Sequence, residues 1–328
     1  MRPPASTLRL ASFASGRTGT SGPNNSNGGA NTPIPSIFGR KELPHTMRTH
    51  IVAFLGEFVG TFMFLFFAFA GTQVANTPPP SDTPGAVAPP NAANLIFIAL
   101  AFGTSLMANV WAFYRVTGGL FNPSVTLALF LVGGIPALRS VLFLAAQLLG
   151  GIAAAGVVSA LFPGPMAVNT TLGGGASVAQ GLFIEMFLTA ELVFVIIMVA
   201  AEKHKSTFLA PVAIGLAFFL AELVGVYFTG GSLNFARSLG PAVVDHTFPG
   251  YFWIYFVGPL LGSLLASGFY SLLNYLRWKD CNPGQDFNDV EKLQSESQKH
   301  VNAGGDDTKN GVRETNGGVV EQDEHADH

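Results

Sequence analysis

Along the chain, long apolar stretches alternate with short polar connections. Six of them, at about 51–74, 94–114, 138–161, 179–201, 209–228 and 251–276, reach the roughly 20 residues needed to cross the hydrocarbon core of a bilayer. They carry almost no polar face, whereas the helices of a soluble bundle would each keep one. Two shorter apolar runs, 122–131 and 234–244, lie between spans two and three and between spans five and six. Runs of about ten residues are too short to cross. They are predicted to be re-entrant, a form membranes tolerate only where the backbone is buried in protein or lines a wet cavity. The pattern predicts an all-α integral membrane protein with six transmembrane helices and two re-entrant half-helices.

The two halves of this pattern repeat. Glu57, Thr61 and Phe66 of the first span match Glu185, Thr189 and Phe194 of the fourth, and "GGLFNPSV" (118–125) matches "GGSLNFAR" (230–237), with the glycine pair and the asparagine at equal offsets. Each half holds an odd number of crossings, so the second must be inverted relative to the first. Inverted repeats place the functional site near the midplane, where broken helices meet. Asn122 is a good N-cap, Pro123 suits the first helical position where its missing N–H costs nothing, and Asn234 is placed the same way. Gly118 and Gly119 allow a tight approach to the first half-helix. Two half-helices entering from opposite faces bring their positive N-terminal ends together at the bilayer centre, where they repel cations.

Composition narrows the function classes. Of 328 residues, 49% are hydrophobic and 11% charged, a more apolar balance than that of an ordinary soluble domain. A net charge of -3 leaves no basic patch for nucleic acid, and the lone Cys281 makes neither a disulfide framework nor a metal site. No nucleophile–base pair or metal-ligand spacing stands out, and no Lys-Ser/Thr follows "GGLFNP" as a phosphate loop requires. An enzyme is therefore not expected, nor any cofactor or metal. Lys and Arg gather before span one (Arg40, Lys41, Arg48), around the connection of spans two and three (Arg115, Arg139), between four and five (Lys203, Lys205) and after six (Arg277, Lys279), while loops 75–93 and 162–178 have none. By the positive-inside rule both termini are cytosolic. The triplet Asn169-Thr170-Thr171 is a glycosylation sequon on the opposite side. Residues 1–47 and 279–328 read as disordered cytosolic tails flanking a channel-like domain at 48–278, with repeats at about 48–161 and 179–278. The arginine-bearing, acid-free start of the chain also mimics an organellar transit leader, with a regulatory tail as the other reading.

These motifs together resemble the aquaporins of the major intrinsic protein family. The likeness covers roughly residues 48 to 278. It rests on the paired Asn-Pro-Ala-type motifs Asn122-Pro123-Ser124 and Asn234-Phe235-Ala236, on Arg237 after the second, on Glu57 and Glu185, and on "AFG" at 101–103. It implies a six-span pore in each protomer of a homotetramer, passing water or small neutral solutes through the lipid bilayer while blocking protons. It further implies that Asn122 and Asn234 donate to the passing molecule and that Phe102, Glu222, Gly231 and Arg237 form an outer selectivity filter. Glu57 and Glu185 would accept backbone N–H groups of the non-helical segments leading into the half-helices.

Two departures bear on selectivity. Glu222 stands where water-selective relatives carry His, and a direct Glu222–Arg237 contact is expected because either charge buried alone is costly. Gly231 is expected to widen the lumen unless Glu222 fills it. Phe235 replaces the usual Pro and is expected to bring bulk into the contact between the half-helices; Ser124 for Ala is mild. Ser238 stands where glycerol-conducting relatives typically carry Asp, which favours the water-type branch. Gly56/Gly60 and Gly258/Gly262 read as sites of close helix approach, and Phe64, Phe66, Phe67 and Phe69 as lipid-facing or packing surface. Glu191 has no counterpart in the first half, where Met63 stands. Three rival readings remain: a facilitator of glycerol, hydrogen peroxide or another small solute; a proton-coupled secondary transporter using Glu57, Glu185, Glu191 or Glu222; and a poorly conducting structural membrane protein. The plasma membrane is the first expectation for residence, an internal membrane the second.

Overall fold

The computed structural model describes residues 44–77, 92–202, 204–285, 293, 294, 296 and 297. The disorder expected of residues 1–43, 286–292, 295 and 298–328, the loop segment 78–91, which has no Lys or Arg, and Lys203 lie outside the described residues. The chain divides into two units, Met1–Trp278 and Lys279–His328, and all eight α-helices described here belong to the first. In order these are α1 (His45–Asn76), α2 (Ala92–Phe113), the short α3 (Pro123–Leu131), α4 (Ala137–Leu161), α5 (Val178–Ile196), α6 (Ala210–Thr229), the short α7 (Phe235–Val244) and α8 (Ile254–Tyr275). The six long ones are long and apolar enough to cross a membrane. No strand occurs among the described residues.

Helix ends depart from the apolar stretches for identifiable reasons. α1 starts at His45, capped by Pro44, so its first turns run through the polar "HTMRTH" segment and the tail boundary placed at residue 47 cuts into the helix. Apolarity marks the hydrocarbon layer; the helix itself continues into the interface. α8 starts at Ile254 rather than 251, because Phe252, Ile254 and Tyr255 donate to the carbonyls three residues back and form a tight turn first. α5 runs on into a π-helical turn, Ile197–Ala201, closed by Glu202 N–H donating to Ile197 O at 2.9 Å. Nothing in the apolar periodicity announces that turn. The Tyr270 hydroxyl donates to the Glu202 carboxylate beside it.

α1 shows why one apolar helix has two faces. Leu55, Val59, Met63 and Phe67 recur every four residues and lie exposed, while Glu57, Thr61, Phe64 and Ala68 are buried, so the first set faces lipid and the second faces protein. α1 packs on α4 and α5 packs on α8, the two repeats using equivalent pairs, and α2 crosses α6 between the repeats. Glycines set how closely these helices meet. A Cβ at Gly150 would lie 3.0 Å from Thr61 Cβ, and one at its repeat partner Gly262 would lie 2.7 Å from Thr189 Cβ. Between the repeats, a Cβ at Gly103 would come 2.9 Å from Gly215 O, and one at Gly215 2.8 Å from Gly103 O. The four glycines of the Gly-xxx-Gly pairs divide. Gly258 and Gly262 receive α5, but Gly56 and Gly60 make room for Thr117 and the ring of Phe121, which belong to the non-helical segment before α3.

Filling one of these contacts is testable. Gly262→Leu should lower the melting temperature of the detergent-solubilised protein, by an overpacking cost of about 1–3 kcal/mol. Scanning fluorimetry against Gly268→Leu, where a Cβ meets nothing within 4 Å, checks it.

Candidate functional site

The centre of the fold is built by two segments that are not helical. Residues before α3 and before α7 turn through the left-handed region at Gly118, Gly119 and Phe121 (φ 99°, 68° and 51°) and at Gly230, Gly231 and Leu233 (φ 80°, 62° and 50°). Such backbone cannot satisfy its own N–H groups, and in a site without water each would be costly. Two fully buried carboxylates supply the acceptors. Leu120 N and Phe121 N donate to Glu57 at 3.2 and 2.9 Å, and Ser232 N and Leu233 N donate to Glu185 at 3.0 and 2.8 Å. Gln147 Nε2 also donates to Glu57 at 2.8 Å.

Each segment ends in an asparagine that does two things. Asn122 Oδ1 accepts from Ser124 N at 2.8 Å and caps α3, with Pro123 at its first position; Asn234 Oδ1 accepts from Ala236 N at 2.9 Å and Arg237 N at 3.3 Å and caps α7. The amide nitrogens then cross: Asn122 Nδ2 donates to Leu233 O at 2.9 Å, and Asn234 Nδ2 to Phe121 O at 2.8 Å. The two half-helix N-termini thus meet tip to tip through a reciprocal pair of bonds. Each NH₂ has two protons, and one of each is used in the crossing. Both asparagines line a narrow cavity of about 10 Å³, together with Phe64, Leu106, Phe218 and Ile214. That is about the space one water occupies. Toward the end where α2 finishes and α4 begins lies a larger cavity of about 220 Å³, lined by Tyr114, Thr117, Arg139, Ala200 and Ala201 among others. Leu120, Val125, Ile196 and Ile214 line both.

On the other side of the asparagines sits Arg237, fully buried. Its Nε donates to Gly231 O at 2.9 Å, Nη1 to Val168 O at 2.7 Å and Nη2 to Gly230 O at 3.2 Å. Its guanidinium lies over the rings of Phe102 (4.9 Å) and Phe69 (5.4 Å), a favourable seat for a cation. Each Nη keeps one proton beyond these bonds. The loop after α4 is held in place by Thr170 donating to Ser238 Oγ at 3.0 Å, and Ser238 Oγ lies 2.6 Å from Ser232 Oγ.

Two expectations need correction. Glu222 and Arg237 form no hydrogen bond or ion pair: the donors of Arg237 go to backbone carbonyls, and both oxygens of Glu222 are buried without a hydrogen-bond partner. The carbonyl-rich loops 168 and 230–231 reach the guanidinium first. At Gly231 the stated exception holds: the Glu222 carboxylate fills the space, occupying the place where a Cβ of residue 231 would stand. Phe235 stays out of the contact between half-helices. It is half-buried and turns toward the rings of Phe256 (5.2 Å) and Phe252 (6.2 Å), while Asn234 caps α7 without help from a proline. The sequon nitrogen is also engaged, since Asn169 Nδ2 donates to the Asp245 carboxylate.

Phe69 and Val168 were missed by sequence reasoning. Phe69 was read as lipid-facing or packing surface; it packs in the core, and its place three turns beyond Glu57 on the buried face could have pointed to the seat it gives Arg237. The Val168 carbonyl carries no side-chain signal at all. Phe64, given the same two readings, is a buried packing residue that also lines the narrow cavity.

Removing the buried acceptors is expected to be damaging. Glu57→Ala or Glu185→Ala strands two buried N–H groups each, at about 1–3 kcal/mol per group, and should sharply reduce the yield of monodisperse protein by size-exclusion chromatography. Gln at either position, which keeps one accepting oxygen, should recover part of the loss.

Comparison with known proteins places this geometry. The model of the major intrinsic protein family matches residues 45–270. Aquaporin-7 of Botryotinia fuckeliana is 57% identical over 268 residues, covering 81% of this chain and 59% of the relative. Aquaporin-5 of the same organism is 57% identical over 241 residues, 73% of this chain and 45% of the relative. Probable aquaporin-3 of Gibberella zeae is 52% identical over 238 residues, 72% of this chain and 82% of the relative. The chain therefore spans only about half the length of the first two. Among solved structures, the X-ray structure of the aquaglyceroporin from Plasmodium falciparum matches with a TM-score of 0.58 at 22% identity, over 69% of this chain and 99% of that one, a likeness of fold.

Proposed function

Since the chain belongs to the major intrinsic protein family, we propose that it is a passive transmembrane channel for water which excludes protons and ions. The observation that carries this reading is the reciprocal Asn122–Leu233 and Asn234–Phe121 contact beside a cavity the size of one water. A molecule at that point meets the spare amide protons of both asparagines and turns its own oxygen toward them. The positive ends of α3 and α7 oppose a cation there, and a chain of waters is interrupted because the central one accepts from both sides.

Asn122, Pro123, Ser124 and Asn234, Phe235, Ala236 build the pore motifs; Phe102, Glu222, Gly231 and Arg237 form the outer constriction; Glu57 and Glu185 support the half-helices. The small cavity and its aromatic walls, Phe64 and Phe218, favour water over glycerol. The reading of Glu57 and Glu185 as proton carriers is disfavoured by their engagement with backbone N–H groups. We infer a homotetramer in a lipid bilayer, with both termini on the cytosolic side, a reading supported by Arg48, Arg115, Arg139, Lys205 and Arg277, which lie at or just beyond helix ends that the alternation of the spans puts on one side. The plasma membrane is the proposed residence.

Proteoliposome swelling decides between the readings. Stopped-flow light scattering should show water flux well above protein-free vesicles, with glycerol uptake far slower and neither changed when the pH gradient is collapsed. Glycerol flux matching water would instead indicate a facilitator, dependence on the pH gradient a coupled transporter, and no flux a structural protein.

A further inference from the structure

The space at the end of the passage where α2 finishes and α4 begins is built unlike the one at its centre. The centre holds about 10 Å³ beside Asn122 and Asn234, this wider cavity about 220 Å³. Small residues open it: Gly119 and Gly134 from either side of α3, and Ala200 and Ala201 from the π-helical turn that ends α5. Much of the remaining wall is apolar, with Val125, Ile196 and Ile214 lining both this cavity and the narrow one. Water against such a wall forgoes hydrogen bonds, so an apolar body that displaces it is favoured.

Among the described residues lining this cavity, Arg139 alone is charged. It stands half-buried in the first turn of α4. Its Nε is buried without a hydrogen-bond partner, and no hydrogen bond or ion pair to a described residue engages the rest of the guanidinium. Arg237, by contrast, gives its donors to three carbonyls. Nothing in the local chain supplies the missing negative charge. α4 has no side-chain cap and no acid in its first turn, and Glu202, next to Ala201, accepts from the Tyr270 hydroxyl instead. A guanidinium with free Nη groups offers the paired donors that a carboxylate or sulfonate binds best. The cavity therefore combines one unmatched cation with an apolar floor, and an amphiphilic anion complements both. Such a body is too large for the one-water space beyond, so it comes to rest on Val125, Ile196 and Ile214, across the entrance to the asparagines.

We propose that this cavity is a binding site for small amphiphilic organic anions, a carboxylate or sulfonate on an aromatic or branched apolar body, with Arg139 holding the anionic head, and that an occupant shuts the passage to water. The closure rests on the passive-channel reading; the binding does not.

The test uses the full chain and benzenesulfonate, which is ionised at neutral pH. Proteoliposomes of phosphatidylcholine, a lipid without net charge, receive the probe on both faces, and stopped-flow water permeability is measured. Sodium chloride and benzenesulfonamide, a neutral body of the same size, are the controls. The same additions are followed as shifts in the melting temperature of the detergent-solubilised protein, which a ligand of the folded state raises. Benzenesulfonate should block water flux saturably and raise the melting temperature, with both controls far weaker. Arg139→Gln should raise the half-blocking concentration at least tenfold, as expected for the loss of a charge-assisted hydrogen bond, and Arg139→Lys, which keeps the charge without the fork, should fall between. Each variant is referred to its own flux without probe, so differences in the amount of folded channel cancel. Equal block of wild type and Arg139→Gln, equal block by the neutral sulfonamide, or neither block nor thermal shift overturns the proposal. A thermal shift that needs Arg139 but leaves water flux unchanged supports the site and overturns the closure. Vesicles that pass no water under any condition overturn the channel reading, and the thermal shift then decides the site by itself.

Discussion

Every unusual feature of this protein follows from the demand that backbone leaving a helix inside a membrane find hydrogen-bond acceptors there. Four N–H groups, of Leu120, Phe121, Ser232 and Leu233, point into protein rather than water, and Glu57 and Glu185 receive them. With those donors satisfied, the two segments can hold left-handed conformations at Phe121 and Leu233, and these aim each chain so that its asparagine meets the opposite segment. The carbonyls of Phe121 and Leu233 are also the ones that accept the crossing amides. One pair of carboxylates therefore supports the capping of α3 and α7, the contact between them and the orientation of both amides toward the lumen.

The surroundings of Arg237 obey the same rule with a different outcome. Arg237 is a buried charge beside the irregular segment before α7, and two carbonyls of that segment and one of the loop after α4 receive its donors. The charge is seated on two aromatic rings and needs no carboxylate to hold it. That leaves Glu222 buried with both oxygens outside any hydrogen bond. Gly231 and Glu222 are complementary in shape: the absence of one side chain makes the place for the other.

Much of this was legible in the residues. The six spans and two short runs could be read from apolar length, and the inversion followed from "GGLFNPSV" against "GGSLNFAR" with an odd number of crossings in each half. Asn122 and Asn234 announced themselves as caps by their position before short apolar runs. What could not be read depends on geometry beyond side-chain identity. A backbone carbonyl such as Val168 O leaves no trace in sequence, and it is one reason the expected Glu222–Arg237 pair does not form. Phe235 in place of a proline looked like bulk at the centre, yet the direction of its Cβ turns it toward Phe252 and Phe256. The π-helical turn at Ile197–Ala201 is apolar like its surroundings, and periodicity does not distinguish a residue added to a turn from one that is not.

Gly103 and Gly215 are equivalent residues of the two repeats, and each lies against the carbonyl of the other where α2 crosses α6. A contact in which residue i meets j and j meets i is isologous, the form that two identical subunits make about a two-fold axis. The side chains around the two glycines differ, Phe219 beside Gly103 and Met107 beside Gly215, so one chain holds as a fixed pair what a two-fold dimer would make from identical halves.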